Sequence, residues 1–535
     1  MKEKRLKTWW EHEKGTCLRA VILACLPLIA CLVYCAAKGA SIGEIYLPSS
    51  GRNDELIYYK QVEAILRYGY PQGYFGFNES HALKLSFAAW SPLLMLPWVL
   101  WGLLFGWNLM SPILCNIFLL TTAMLLFGLL AKPGWKQVGV TAFLFFLFMP
   151  FSWYMLCGMP ETACFSLLIV FYGAAAGYLR KKSGPLLGVM FALAGLLTMM
   201  RPYLFLFLLL PAYLWISGQE NRAARWRAAA GTTAVFATVF GAYAWISHFL
   251  AAAYFRPLFD MKWLTAFFER GLAGGIRNFF GTLYYSGLEF LRYMRQGAES
   301  GLAAGSIFCC YIVVFLVLLC QSVIDYAAWR RAEGEEKEAL GGRLVLEAHL
   351  SLSFGAMLGA LLLMCNFFDG CKHLLGFLAV GTLVIAGMRT RYFKKAVLTG
   401  AVFAAFFFGK EAGFEAYEPD FVKEDVAGRL ERFSEAVERE LTVAGDGPNY
   451  DNTVIWVLAD ELPEGMVYTG WQYLYSLPAG FGVSCCTAEY VTEHFDLLQS
   501  KYLCVVPGGP VEEKCIGMKY EKIAGNEYAV LYRRY

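Results

Sequence analysis

The sequence predicts a polytopic α-helical membrane protein carrying a small C-terminal α/β domain, and three observations lead there. The 535 residues are 58% hydrophobic and only 17% charged, with a mean hydropathy of +0.46; soluble domains run nearer half apolar and one-quarter charged. The apolar residues gather in blocks of about 16–25, the length that crosses a bilayer core, whereas a membrane β-barrel would show short alternating segments. The charge is also split. Residues 410–535 hold 22 acidic and 11 basic side chains although the whole chain has a net charge of +3, so a basic membrane part precedes an acidic tail that reads as a separate domain.

The basic run Met1–Lys7 leads into apolar Leu18–Ala37. At about 20 residues this run exceeds a usual signal-peptide core, so it reads as an uncleaved first helix with its N-terminus inside. Further apolar blocks lie near 86–106, 109–131, 137–156, 161–179, 184–200, 202–217, 228–253, 301–322, 346–365, 374–388 and 396–409. Basic connections at Lys132–Lys136, Arg180–Lys182, Arg222–Arg227, Arg330–Arg331 and Arg389–Lys395 mark the cytoplasmic side. Met159–Thr162, Arg201–Tyr203, Tyr254–Ser300, Phe367–His373 and the tail then fall outside. One block too many lies between 86 and 131. Block 86–106 contains Pro92 and Pro97, which remove backbone donors and favour breaks, and is expected to be re-entrant or interfacial; if it crosses instead, the parity shifts downstream. The expected layout has about 11 transmembrane helices, within a range of 11–13. It consists of a membrane module over 1–409 with outside loops 38–85 and 254–300, and an extracytoplasmic domain over 410–535.

The loop 254–300 mixes Phe, Tyr and Trp with Arg256, Lys262, Arg270, Arg277, Arg292 and Arg295. That mixture suits a helix lying at headgroup level. In the tail, Phe421–Leu441 has helical spacing, Thr453–Leu458 and Tyr502–Val506 look like buried strands, and Ile523–Tyr532 reads as a hairpin turning at Gly525–Asn526. The 16 cysteines show no zinc-type spacing. Cys504 and Cys515 would be free to pair in an extracytoplasmic tail. There is no Gly-rich phosphate loop and no internal repeat.

Candidate chemistry starts at Asp54 and Glu55, just beyond the first membrane helix. An outward carboxylate there can act as general base toward an acceptor hydroxyl or amine, or hold a divalent cation; two ordinary acids in a solvated turn are the alternative. Asp54-Glu55-Leu56, in the first outside loop of a many-helix protein, resembles the D-E-x form of the acidic motif of the GT-C superfamily of membrane glycosyltransferases. That superfamily includes protein O-mannosyltransferases, the lipid A aminoarabinose transferase and oligosaccharyltransferases. Met159–Ala163 (MPETA) is similar to the Pro-acid step before a later helix, which gives Glu161 a place at the site; a plain helix start is the alternative. Arg201-Pro202 is similar to the basic-Pro step between core helices. An arginine there suits the phosphate of a lipid-linked sugar, with a snorkelling interface arginine as the alternative. His81 and Lys84, in the run that starts at Glu79, answer to the acidic-basic pair at the end of this loop, although the spacing departs from the family pattern. Lys372, between Asp369 and His373 in FFDGCKH, and Arg256 are further phosphate contacts on this view; a polar turn is the other account of FFDGCKH.

The resemblance implies a hexosyl- or pentosyltransferase in the plasma membrane. It would move sugar from a polyprenyl-phosphate donor to an extracytoplasmic acceptor, which is a cell-envelope glycopolymer, lipid or protein. Asp54, Glu55 and Glu161 would be the catalytic carboxylates and Arg201 the phosphate ligand. No cofactor is required; a divalent cation at the three carboxylates is compatible. Membrane lipid is a partner and nucleic acid is not. The rivals are a lipid or polysaccharide transporter or flippase, which would bury charges mid-helix and interrupt helices in pairs, a polysaccharide ligase or polymerase, and a non-catalytic scaffold.

Overall fold

The computed structural model describes residues 2–45, 54–70, 75–79, 91–250, 262–299, 306–364, 367–387 and 393–408, and, in the tail, 419, 421, 435, 437–441, 450–458, 475, 477–518, 520–525 and 529–535. The helices in chain order are α1 (Lys2–Ala37), α2 (Asp54–Tyr68), α3 (Leu96–Phe105), α4 (Ser111–Ala131), α5 (Trp135–Leu147), α6 (Pro150–Met155), α7 (Glu161–Lys181) and α8 (Gly184–Met200). They continue with α9 (Leu209–Ser217), α10 (Arg222–Leu250), α11 (Lys262–Glu269), α12 (Gly271–Glu299), α13 (Ser306–Arg331), α14 (Gly334–Met364), α15 (Phe367–Ala386) and α16 (Phe393–Phe408). Among the described residues, six helices are long and apolar enough to cross a membrane: Lys14–Ala37 of α1, α4, α7, α10, Ile307–Arg331 of α13, and α14. Shorter apolar runs cover Pro92–Phe105, Trp135–Leu147, Gly184–Met200, Pro202–Ser217 and Lys372–Ala386. The chain is a multi-pass membrane protein with a small C-terminal sheet.

Proline and glycine punctuate block 86–106. A 3-10 turn over Pro92–Met95, capped by the Ser91 hydroxyl, leads into α3, which ends at Gly106 with φ 83°. The ten residues of α3 rise about 15 Å, half of a bilayer core of roughly 30 Å. They pack against α2 and α4.

Small residues set the closest helix crossing. A Cβ on Gly128 of α4 would stand 2.6 Å from the Ala20 Cα of α1, so only glycine lets the two backbones meet, as small residues do where membrane helices touch. Gly128→Leu must force α1 and α4 apart. We expect a loss of roughly 1–3 kcal/mol, read as a lower midpoint of thermal unfolding in detergent; an unchanged midpoint would contradict this packing.

Six strands form one sheet in the order β1-β3-β2-β4-β6-β5, with β1 Phe75–Phe77, β2 Thr453–Leu458, β3 Gly482–Thr487, β4 Tyr502–Val505, β5 Tyr520–Gly525 and β6 Val530–Arg534. The first four strands pair in parallel; β6 runs antiparallel to β4 and to β5. The sheet separates two cores. Val454, Trp456, Cys485, Cys504 and Leu531 join the apolar core of the helices. Their strand neighbours Ile455, Val457, Cys486, Leu503 and Val505 face the other way, onto Val491, Phe495, Val511 and Cys515, as the period-two alternation of a strand requires. Cys504 and Cys515 therefore lie on opposite faces of the sheet. Both are free buried thiols, so the pairing left open by the sequence does not form. Burial pushes the Cys515 thiol up to about 12.

The strand expected at Thr453–Leu458 and the hairpin are present, while Asn526 lies outside the described residues. Of Phe421–Leu441, residues 435 and 437–440 are helical, and Phe421 bridges to Ile45. In the 254–300 loop, α11 and α12 meet at Gly271 (φ 70°) and leave Phe268, Leu272, Phe280, Tyr284, Tyr285 and Leu291 exposed.

Candidate active site

The segment between α1 and α3 is fastened to the tail through α2 and β1. In α2, Leu56, Ile57, Tyr58, Tyr59 and Val62 are buried, so this helix packs into the protein along its aromatic face. Tyr59 stacks on Trp107 with centroids 5.2 Å apart and meets Tyr475 edge-on at 5.0 Å. The Tyr68 hydroxyl donates to the Ala479 carbonyl at 2.8 Å. Lys60, buried, donates to Glu63 at 2.7 Å and to the Leu477 carbonyl. Burial lowers the Lys60 pKa from its ordinary value, against the opposing pull of Glu63. Further along, β1 pairs with β3 and Glu79 follows it with φ 58°. The Glu79 carboxylate accepts from the Ser500 amide at 2.8 Å, the Ser500 hydroxyl at 2.7 Å and the Gln499 amide at 3.1 Å. Glu79 is thus a fastening of loop to tail, held by charge-assisted hydrogen bonds.

A second fastening holds the segment before α7. Asn116 of α4 is fully buried. Its Nδ2 donates to the carbonyls of Tyr154, Cys157 and Met159 at 3.3, 3.2 and 3.1 Å, and its Oδ1 accepts from Trp98 Nε1 at 3.0 Å. Thr162 Oγ1 adds a bond to the Tyr154 carbonyl at 2.8 Å. These bonds satisfy carbonyls that a buried, non-helical stretch would otherwise leave unpaired. They also set Gly158 against α2, where a Cβ on Gly158 would lie 3.1 Å from the Glu55 Cβ and 3.2 Å from its Oε2.

Arg201 stands at the break between α8 and the 3-10 run Pro202–Leu208. The residue before a proline is disfavoured in the α region, and Arg201 is extended (φ −141°, ψ 104°). Its side chain is fully buried and ion-paired with Glu161, itself 4% exposed, in the first turn of α7. There the helix dipole favours the carboxylate. Glu161 Oε2 has no hydrogen-bond partner among the described residues. Tyr58, Tyr203, Cys164 and Tyr243 are within electrostatic reach of Arg201. Cys157 lies within reach of both Glu55 and Glu161. From α15, His373 lies near Arg201 and Lys372, and its Nδ1 is 3.2 Å from the Tyr203 hydroxyl. One buried patch therefore gathers two carboxylates and one guanidinium, with a lysine and a histidine beside them. Among the described residues no group of three or more His, Cys, Asp or Glu is placed to hold a metal ion.

No protein-family model and no curated protein matches this sequence. Among solved structures, the apo crystal structure of the Archaeoglobus fulgidus oligosaccharyltransferase superposes with a TM-score of 0.50 at 13% identity, over 94% of this chain and 70% of that one. The chain has the GT-C fold. ArnT from Cupriavidus metallidurans bound to undecaprenyl phosphate is a more distant neighbour, with a TM-score of 0.43 and 12% identity over 96% of this chain and 97% of that one.

Within this GT-C fold, the predicted residues Glu55, Glu161, Arg201 and Lys372 come together around Cys157 and Tyr203. Asp54 is the first residue of α2, directly before Glu55; its side chain, His81, Lys84 and Arg256 lie outside the described residues. FFDGCKH is not a polar turn, because α15 begins at Phe367 and carries Lys372 and His373 in its first turns. Sequence reasoning passed over Asn116, Tyr58 and Tyr203, which sit in apolar or aromatic runs with no local pattern to mark them.

Gly158→Ala tests the contact under Glu55. The added methyl meets the Glu55 side chain at a distance that forces it aside by a few tenths of an ångström. Misplacement of this kind costs about tenfold or more in turnover, so kcat should fall about tenfold while thermal stability stays near wild type. Unchanged kcat would remove Glu55 from the site.

Proposed function

We propose that this protein is a membrane glycosyltransferase that moves a hexosyl or pentosyl group from a polyprenyl-phosphate donor to an extracytoplasmic acceptor. The observation that carries this reading is Arg201, fully buried and ion-paired with Glu161 beside Glu55. A fixed guanidinium at that place suits a donor phosphate. The protein with which the chain shares its fold at a TM-score of 0.50 is an oligosaccharyltransferase, which is consistent with sugar transfer. In this reading the chain crosses the membrane about eleven times, N-terminus inside and tail outside; the six long apolar helices support a multi-pass layout.

Asp54 takes the proton from an acceptor hydroxyl or amine as that group attacks the anomeric carbon. The bond between the anomeric carbon and the phosphate oxygen breaks, and its electron pair leaves on the phosphate. Arg201 offsets the charge gathering there, with Lys372 on the same side. A single displacement of this kind inverts the anomeric centre. Glu161 fixes the guanidinium, and Glu55, pressed against Gly158, positions the start of α2. His81, Lys84 and Arg256 would add contacts to donor or acceptor. A divalent cation is not required by this scheme.

One observation favours a transporter instead: Asp325 and Glu347 are buried within α13 and α14, and intramembrane acids often mark transport paths. Parallel assays separate the two. Purified protein should transfer sugar from an undecaprenyl-phosphate donor and should not accelerate movement of that lipid between vesicle leaflets. Translocation without transfer would replace this proposal with the transporter.

A further inference from the structure

A cavity lies at the other end of α7 from Glu161. It measures about 350 Å³ and is lined by Arg343, Glu347, Tyr172 and the apolar side chains of Leu346, Leu383 and Val384. Along α7, Tyr172 is eleven residues past Glu161, or roughly 16 Å, so this cavity is separate from the site around Arg201. Its volume falls within the range of small-molecule sites.

Its polar groups are unusual. Glu347 is 2% exposed, lines the cavity, and its Oε2 has no hydrogen-bond partner among the described residues. Asp325 of α13, 1% exposed, stands close enough to act on Glu347, and neither of its carboxylate oxygens has such a partner among the described residues. Buried carboxylate oxygens need donors. Arg343 and Lys395 stand within electrostatic reach of Glu347, yet no described side chain donates a hydrogen bond to its Oε2. His349 Nε2 donates to the Leu206 carbonyl at 3.0 Å, which leaves Nδ1 to accept from the Tyr172 hydroxyl at 3.0 Å. Lys395 donates to Gln321 Oε1 at 3.0 Å. A primary ammonium brings three N–H donors and a compensating charge. Arg343, one turn nearer the helix start on the same wall, offers a guanidinium suited to phosphate oxygens.

We propose that this cavity binds an aminoalkyl phosphate headgroup, with its ammonium on Glu347 and the Asp325 carboxylate adding negative charge beside it, its phosphate on Arg343, and any attached chain along Leu346, Leu383 and Val384. An ethanolamine phospholipid and free phosphoethanolamine share this chemistry. The proposal does not rest on sugar transfer and stands or falls separately.

The test uses the full-length protein in detergent, stripped of lipid, with lipid binding followed by native mass spectrometry. Phosphatidylethanolamine should bind roughly tenfold or more tightly than phosphatidylcholine, the scale of a lost hydrogen bond to a charged group. The N-methyl and N,N-dimethyl headgroups should fall in order between them. This series needs no variant. Glu347→Gln should erase the preference, while Glu338→Gln, exposed on the same helix, should keep it. Competition by free phosphoethanolamine would show that the headgroup alone suffices; absence of competition, with the preference intact, would assign the site to the lipid. Equal affinity across the methylation series, or a preference that survives Glu347→Gln, would overturn the proposal and leave Asp325 and Glu347 as carboxyls that share a proton.

Discussion

Arg201→Met should cut sugar transfer about 10²–10³-fold and lower stability at once. Methionine keeps much of the volume but removes the guanidinium, and Glu161, already short of a hydrogen-bond partner at Oε2, is left as a buried charge. Breaking a buried pair from one side costs roughly 3–5 kcal/mol. Removing one preorganised donor from a developing negative charge costs about 10²–10³ in kcat. The double variant Arg201→Met, Glu161→Leu separates the two effects. With both charges gone the desolvation problem disappears, so most of the thermal stability should return while transfer stays below one-hundredth of wild type, roughly the loss of that donor. If the double variant transferred sugar normally, the pair would be structural only.

Asp54→Asn should give the larger loss of turnover at the smaller structural change. Asparagine and aspartate serve equally well at the start of a helix, so α2 should form as before. What asparagine lacks is the capacity to accept a proton. Removal of a positioned general base lowers the rate by about 10²–10⁴, with little change in donor KM because Arg201 and Lys372 remain. Circular dichroism and detergent thermal unfolding would check the fold, and initial rates at saturating donor would check kcat. A KM effect alone would make Asp54 a binding residue.

Much of the membrane architecture could be read from the sequence, because apolar blocks and loop charges answer to the bilayer directly. The strand Thr453–Leu458 was legible for the same reason, since six consecutive apolar or β-branched residues have few other uses. What escaped was long-range. Phe75–Phe77 is three residues of strand whose partner lies about 400 positions away, so no local period announces it. Glu79 opens the run that carries His81 and Lys84, and no local pattern shows that its bonds go to Gln499 and Ser500. At the site, Glu161 and Arg201 each showed as a charge beside a proline at a helix boundary, which is a local signal. Asn116 gave none, because a lone amide inside an apolar block could equally have faced a neighbouring helix or a water. Asp325 and Glu347 hid in the same way within long helices, and only packing shows that they are buried neighbours.

The most direct test of the whole account is transfer of labelled sugar from a synthetic polyprenyl-phosphate donor to envelope acceptor by the purified protein, with wild type and Asp54→Asn compared at equal folded concentration. The account predicts transfer with inversion at the anomeric carbon by wild type, and a rate at least about a hundredfold lower, on the scale of a lost general base, for the variant. Equal rates from the two proteins, or retention at the anomeric carbon, would contradict it.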